Sequence, residues 1–404
     1  NQSIPKDMIP SSVITLSFGS SFNHHLTHGS LPIMLQSLTL GDGFNQHIVP
    51  GVLPSSLTYL HMGGYNHPLQ YGVLPKSITN LHLGNTFDQV INQVHLPTQL
   101  NKLTLSHMFN KQLEVNTLPT LQTLITGAMF NQSFIPGSLP TSLTFLQLGT
   151  NYDKQIPVGV LPSPSLTSLS LGYQFNQIII QDSLPTSLIT LTFGHSYDQP
   201  LSINVLPQSL TSLTFGTSFN HAFEPGVLPN RLVSCTFGFK FNQPLLVGYL
   251  PQLLTNLSLG YCFNQPPSNL CLPVNLRMIV FANTARNQHV RYLDVLPMSV
   301  RQVRLRQTDQ HLSIPNNVQR MVLDLSRQST IQALGIINNV MTDIRKSNVG
   351  DLEVLLPKEQ RICIRWLDPN YMMATLSKPG NPIPSNINNI VSAVTINQWF
   401  NQIK

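Results

Sequence analysis

The chain of 404 residues carries 13 His, 16 Asp and Glu, and 4 Cys with which chemistry could be done. The densest group is His24-His25-x-x-His28, and imidazoles so close in sequence are candidate zinc ligands. The group follows directly on an aromatic, where later segments carry Gln, Pro or Lys, so a solvated turn is the expected role and no metal site is expected. The carboxylates are spread thinly, with no pair placed for general acid–base work. GxxxxGKS/T, HExxH and GxSxG do not occur, so the common phosphate cradle, zinc-hydrolase helix and nucleophile elbow are missing. Cys235, Cys262, Cys271 and Cys363 form no CxxC pair, the pattern of reduced thiols in an intracellular, cytoplasmic rather than secreted protein. No catalytic residue and no cofactor is expected, and an enzyme is not the expected reading.

The elements that would position any site repeat themselves. Aromatic–Asn/Asp pairs recur from Phe22-Asn23, Phe44-Asn45, Tyr65-Asn66 and Phe87-Asp88 through Phe175-Asn176 and Phe219-Asn220 to Phe263-Asn264, in steps of 21 to 23 residues. A second series keeps the same period out of phase, from Leu31-Pro32 and Leu53-Pro54 to Leu272-Pro273 and Leu296-Pro297. Between them lies LxxLxLG, as in Leu166-x-x-Leu169-x-Leu171-Gly172, whose last apolar residues alternate as in a half-buried strand. One short strand per period cannot pair with itself. Each must pair in parallel with the same strand of the next coil, which makes a repeat solenoid of the leucine-rich-repeat type with a parallel β-sheet on its concave face. About fourteen such repeats fit residues 1–328, and 329–404 is left as a C-terminal cap region.

Each marker then has an expected task. Gly172 and its equivalents should allow positive φ where the chain turns after the strand. Pro162 and its equivalents fix φ and lack a donor just before the chain re-enters the sheet. The aromatics should stack as a buried column, and the following Asn should bond turn backbone of the neighbouring coil. Asp replaces Asn at Asp88, Asp153 and Asp198, and an ionised Asp only accepts, so the acceptor oxygen is the part the turn should need.

The unit LxxLxLGxxFNQxLxxGxLPxxLxxL resembles the FNIP-repeat family of leucine-rich proteins over roughly Asn1 to Leu325. Departures occur at Ala285-Arg286-Asn287-Gln288 and Thr308-Asp309-Gln310, which lack the aromatic, and at Thr126, which stands where the last strand apolar belongs. The resemblance implies an interaction scaffold, and some members carry an F-box ahead of their repeats as substrate receptors of ubiquitin ligases. Asn1-Gln2 stands 22 residues before Asn23-His24, so the expectation is that further sequence precedes Asn1, be it an F-box, a kinase or more repeats. Past Leu325, Thr330 to Lys346 has apolar residues at helical spacing, and Asn389 to Ile403, with Trp399 and Phe400, reads as a short helix or a degenerate repeat. A partly helical C-terminal cap is therefore expected. Residues 355–377 faintly resemble an F-box, and a plain cap is the favoured alternative.

Only 9% of residues are charged, and they are unevenly placed: seven Lys/Arg against eight Asp/Glu up to Asn275, fifteen against eight beyond it. No apolar run approaches the roughly 18 residues needed to span a bilayer, so membrane insertion is not expected. In each LxxLxL the residues flanking the second Leu face outward. Most are Ser or Thr, as at Ser168/Ser170 and Thr190/Thr192, and the exceptions group at Tyr59, His61, Asn80, His82 and Lys102, with Phe145 and Gln147 two strands further on. These are either ordinary exposed side chains or the centre of an interface. A basic group of Arg301, Arg304, Arg306 and Arg320, with Arg291 nearby, is either a solvated end or a site for an acidic partner. Aromatics are scarce around it, so nucleic acid is not the expected partner. The leading expectation is a non-enzymatic scaffold that binds protein. The alternative is a regular hydroxyl lattice for carbohydrate or ice.

Overall fold

A computed structural model describes residues 2–266, 271–282, 293, 295–306, 312, 314–326, 333, 336–337, 340, 343–344, 347–356, 360–366, 371–377 and 389–392. It divides into two compact units, Asn1–Leu210 and Thr211–Lys404.

The N-terminal unit contributes nine strands, β1 (Thr15–Ser17), β2 (Ser37–Thr39), β3 (Tyr59–His61), β4 (Asn80–His82), β5 (Lys102–Thr104), β6 (Thr123–Ile125), β7 (Phe145–Gln147), β8 (Ser168–Ser170) and β9 (Thr190–Thr192). Each pairs in parallel with the next, one per coil, with equivalent residues opposite one another: Leu38 faces Leu60, Leu60 faces Leu81, Leu81 faces Leu103. The middle residue of each strand turns inward and the flanking two turn out, as the alternation requires.

One coil shows how the core is filled. Leu35, Leu38, Leu40, Phe44, Ile48, Val52 and Leu53 are all buried. Their counterparts lie above and below, so each coil hides a wall that alone would face water. The aromatics form the expected column: Phe87–Phe109, Phe109–Phe130, Phe130–Tyr152 and Tyr152–Phe175 sit near-parallel with centroids 6.4, 6.2, 6.1 and 6.3 Å apart. Most Leu-Pro pairs begin a turn in which the Pro carbonyl accepts from the amide three residues on, as Pro54 does from Leu57 at 3.1 Å; Pro162 accepts from Leu166, four residues on.

The glycine after the strand has, in most coils, a different reason from the one expected. Gly172 does not take positive φ; a Cβ there would stand 2.1 Å from the carbonyl oxygen of Gly149 on the preceding coil. Close approach of neighbouring backbones is what excludes a side chain. Among the equivalents of Gly172, Gly63 (56°) and Gly84 (75°) do take positive φ, but the recurrent positive-φ position lies two residues before the Leu-Pro leucine, at Gly51 (84°) and its equivalents, where Asn116, Asp182 and Asn204 replace Gly. These are the types that tolerate the left-handed region.

The C-terminal unit begins with the same coil: β10 (Ser212–Thr214), β11 (Ser234–Thr236), β12 (Asn256–Leu259) and β13 (Met278–Phe281) pair in parallel. The strands then lengthen to five residues in β14 (Gln302–Arg306), β15 (Arg320–Asp324) and β16 (Asp351–Leu355), still parallel. After β16 the direction reverses, and β17 (Arg361–Trp366), β18 (Tyr371–Ser377) and β19 (Asn389–Ser392) are antiparallel.

The described part of the C-terminal region is mostly strand, where a partly helical cap was expected. Residues 355–377, read above as either F-box-like or a plain cap, contribute the end of β16 and the strands β17 and β18, with Ile362 and Ile364 buried and Arg361, Cys363 and Arg365 exposed. Asn389–Ser392 is a strand where a short helix or a degenerate repeat was expected to start, and Trp399 and Phe400 lie outside the described residues. Of the helix expected over 330–346, six residues are described, all helical, with Ala333, Ile337, Val340 and Ile344 buried at spacings of four, three and four.

Candidate functional site

The turn after each strand is held by a polar ladder. The Asn23 Oδ1 accepts the Asn45 amide at 2.9 Å, Asn45 Oδ1 accepts Asn66 N–H at 3.0 Å, and Asp153 Oδ1 accepts Asn176 N–H at 2.9 Å. In the C-terminal unit Asn220 serves Asn242 at 2.9 Å in the same way, with Phe219 stacked on Phe241 at 6.1 Å. Asp and Asn serve alike because the ladder uses only the acceptor oxygen. Phe22, Phe44, Phe175 and Phe219 thus lie in the stacked column, and Asn23, Asn45, Asn176 and Asn220 each accept a backbone N–H of the next coil.

Two further ladder members escaped the sequence reading. The Gln after the Asn donates to the preceding coil's Asn oxygen, as Gln132 does to Asn110 Oδ1 at 3.1 Å. Where that acceptor is Asp88, the donor position holds Lys111, whose ammonium lies 2.9 Å from the Asp88 carboxylate. The Ser two residues after the Pro also bonds across coils: Ser77, Ser142, Ser187 and Ser209 donate to Leu carbonyl oxygens of the preceding coil at 2.6 to 2.8 Å. Their recurrence as LPxSL was the available signal.

The outer face of the N-terminal unit's sheet carries the candidate patch in two columns. Tyr59, Asn80, Lys102, Thr123 and Phe145 face one another across successive strands, and so do His61, His82, Thr104, Ile125 and Gln147. The parallel register thus brings all seven expected residues onto β3–β7, about 4.8 Å apart per strand. Within it, the His61 and His82 rings stack at 4.3 Å. Each imidazole accepts a backbone N–H at Nδ1, His61 from Gly63 at 3.2 Å and His82 from Gly84 at 3.0 Å, which leaves the ring proton on Nε2. Burial, with the His61 ring and the Lys102 ammonium beside it, lowers the His82 pKa from its ordinary value to about 4. At neutral pH the His82 ring is therefore a neutral donor, with the His61 ring stacked on it and the Lys102 ammonium, the Tyr59 phenol and the Asn80 amide beside it on the sheet.

The basic group is not a bare positive surface. Arg304 meets Asp324 at 2.8 Å, and Arg320 meets Glu353 at 2.9 Å. Arg301 donates to the carbonyl oxygen of Met298. Arg306 lies on β14 with its side chain outside the described residues, as Arg291 does altogether. Among the described residues no group of three or more His, Cys, Asp and Glu is placed to hold a metal ion, His24, His25 and His28 included. No helix among them is long and apolar enough to cross a membrane.

Three-residue strands stacked once per coil, over a buried aromatic column and an amide ladder, define a solenoid of the leucine-rich-repeat class. The family model described as FNIP Repeat matches residues 1–43, 22–64, 65–107, 130–174, 175–218, 219–262 and 241–284, more than half of the sequence. The chain belongs to the FNIP-repeat family. Among solved structures it is similar to CroV588, described as a novel circular LRR protein, at 36% identity and a TM-score of 0.68 over 81% of this chain. That alignment takes in 52% of CroV588, so the chain spans about half the length of this relative. An internalin of Listeria monocytogenes also matches, at 16% identity and a TM-score of 0.36 over 86% of this chain and 82% of that one, a level that carries no argument. No curated protein matches.

Proposed function

We propose that this chain is a non-enzymatic recognition scaffold that captures a protein partner on the outer face of β3–β7. The observation that carries this reading is the register that aligns Tyr59, His61, Asn80, His82 and Lys102 on three adjacent strands of a sheet whose other outer positions are mostly Ser and Thr. Aromatic and polar groups of this kind anchor interfaces, whereas small hydroxyls contribute little on their own. Free cysteines throughout support an intracellular setting. The larger role we propose, the substrate-binding arm of a ubiquitin-ligase receptor whose F-box lies on another segment or chain, rests on the family resemblance alone.

The test is site-directed photocrosslinking. A crosslinker at position 59 or 145 should give one discrete protein adduct, and a crosslinker at position 190, among the Thr columns, should give none. Tyr59→Ala combined with His82→Ala should abolish the adduct formed from position 145. Equal adducts from 145 and 190, or adducts indifferent to the double substitution, would overturn the reading. Glycan binding or thermal hysteresis that survives the same double substitution would favour the hydroxyl lattice of β8 and β9 instead.

A further inference from the structure

The described arginine side chains from Arg277 onward divide into two kinds. Arg304, Arg320, Arg361 and Arg365 each lie 2.8 to 3.1 Å from a carboxylate. Arg277 and Arg301 meet no carboxylate among the described residues; Arg301 donates only to the carbonyl oxygens of Met298 and Asn317.

These two stand one above the other. The Arg301 amide donates to the Arg277 carbonyl oxygen at 2.9 Å, so they hold the same position on adjacent coils, just ahead of β14 and β13. Their side chains line one open groove of about 390 Å³ with Asn275 and Ser299. That position is uncharged in the coils before and after: Thr211, Val233 and Thr255 precede the pair, and Gln319 follows it. Two like charges at strand spacing raise one another's energy, and a sequence that keeps them adjacent without a carboxylate between them leaves a place for an anion.

We propose that Arg277 and Arg301 form an oxyanion site for a phosphoryl group. Each guanidinium presents a planar fork of parallel N–H donors. A carboxylate has two oxygens and fills one fork; a tetrahedral phosphoryl group has enough terminal oxygens to meet both forks at once. The remaining wall residues are already committed, Asn275 donating to the Gln252 carbonyl at 2.9 Å and Ser299 to that of Leu276 at 2.7 Å. They shape the groove, and the two guanidiniums supply the charge. This site does not depend on the β3–β7 reading, and either can fail without the other.

The experiment is calorimetric titration of the whole chain at low ionic strength with inorganic phosphate, phenyl phosphate and acetate. One phosphate site is expected, with acetate bound at least about tenfold more weakly. Arg277→Gln and Arg301→Gln should each weaken phosphate by about tenfold or more, the loss typical of one charge-assisted bond pair. Arg365→Gln, which alters a paired and exposed arginine, should leave it unchanged. Phenyl phosphate bound as tightly as phosphate assigns the site to a phosphate ester; phosphate bound alone assigns it to the free ion. Acetate bound as tightly as phosphate, phosphate binding that survives the double substitution, or no saturable phosphate binding would overturn the proposal.

Discussion

The coils built on Phe-Asn turns and the strands β14–β17 solve the same problem with different chemistry. In β2–β9 the strands are three residues long, and their outer positions carry one charge, Lys102. Cohesion comes from the buried aromatic column and from amide oxygens that each serve the next coil. In β14–β17 the strands have five or six residues, and their outer positions carry Arg304, Arg320, Asp324, Asp351, Glu353, Arg361 and Arg365. Where the Phe-Asn turn is lost, extra ladder hydrogen bonds and cross-strand ion pairs replace it. A repeat can afford short strands only while its turns carry load.

The largest effects should follow from breaking the column. Phe175 is fully buried between Tyr152 and Tyr197, with centroids 6.3 and 6.1 Å away. Phe175→Ala should cost about 3–5 kcal/mol through lost burial and a cavity the stacked coils cannot close. Hydrogen exchange should quicken in β7–β9, while β14–β16 keep their protection. Uniform loss across the chain would mean that the column does not hold its coils locally.

Next come the ladder oxygens. Asn45→Ala strips the Asn66 amide of its acceptor and should cost about 1–2 kcal/mol by denaturant unfolding. Asn45→Asp keeps the acceptor between neutral Asn23 and Asn66 and should be nearly neutral. Asn176→Asp makes the opposite point: it would place three carboxylates in file, with Asp153 on one side and Asp198 on the other. It should destabilise although it too keeps the oxygen. The native aspartates are never adjacent along the ladder, and this is the physical reason. Equal stability of the two Asp variants would show that the ladder is indifferent to charge.

These residues also mark what the sequence made legible. Period fixed the strands, since LxxLxL cannot be satisfied by any other pairing, and Asp88, Asp153 and Asp198 revealed which atom of the turn residue mattered. The patch was legible for the same reason, because a strict register carries position in sequence into position on the sheet. Recurrence does not disclose its own cause, so Gly172 was assigned a dihedral when its constraint is the Gly149 oxygen. The serines of LPxSL passed as turn residues because their acceptors lie one coil back. Beyond Leu325 the period ends, and with it the rule that relates sequence separation to contact: Arg320 finds Glu353 33 residues on. The stacking and tautomer of His61 and His82 depend on distances a sequence does not carry.

A smaller effect should appear with pH at that histidine pair. The His82 pKa, lowered to about 4 by burial and by its neighbours His61 and Lys102, lies below the unfolded value near 6.5, so the native state binds fewer protons between these limits. Stability from the neutral ring is complete above the unfolded value and is lost as pH falls from about 6.5 to 4. Discounted for the ring's half exposure, the loss is about 1–2 kcal/mol and should be confined to β3–β5. His82→Gln should flatten it. An NMR titration that found His82 protonating near 6.5 would remove the basis for reading His82 as a neutral donor.

The ion pairs of β14–β17 should respond least, and to a different variable. Burial pushes the Asp324 carboxyl up, but hydrogen bonds from Ser326 and Arg304 and the Arg304 charge outweigh it and hold the pKa below the usual carboxylate value. Its contribution is complete above the ordinary carboxylate range and is lost only as pH falls beneath it, after the His82 window has passed. Raising salt from about 0.1 to 1 M shortens the screening length from about 10 to 3 Å. Partly exposed pairs such as Arg320–Glu353 should then lose well under about 1 kcal/mol, visible as faster exchange in β15 and β16. The ladder of β2–β9 carries charge only where Asp88, paired with Lys111, Asp153 and Asp198 stand in for Asn, so it should depend far less on salt and hold its protection. Equal salt sensitivity in both regions would mean that charge pairing is not what takes over where the aromatic turn ends.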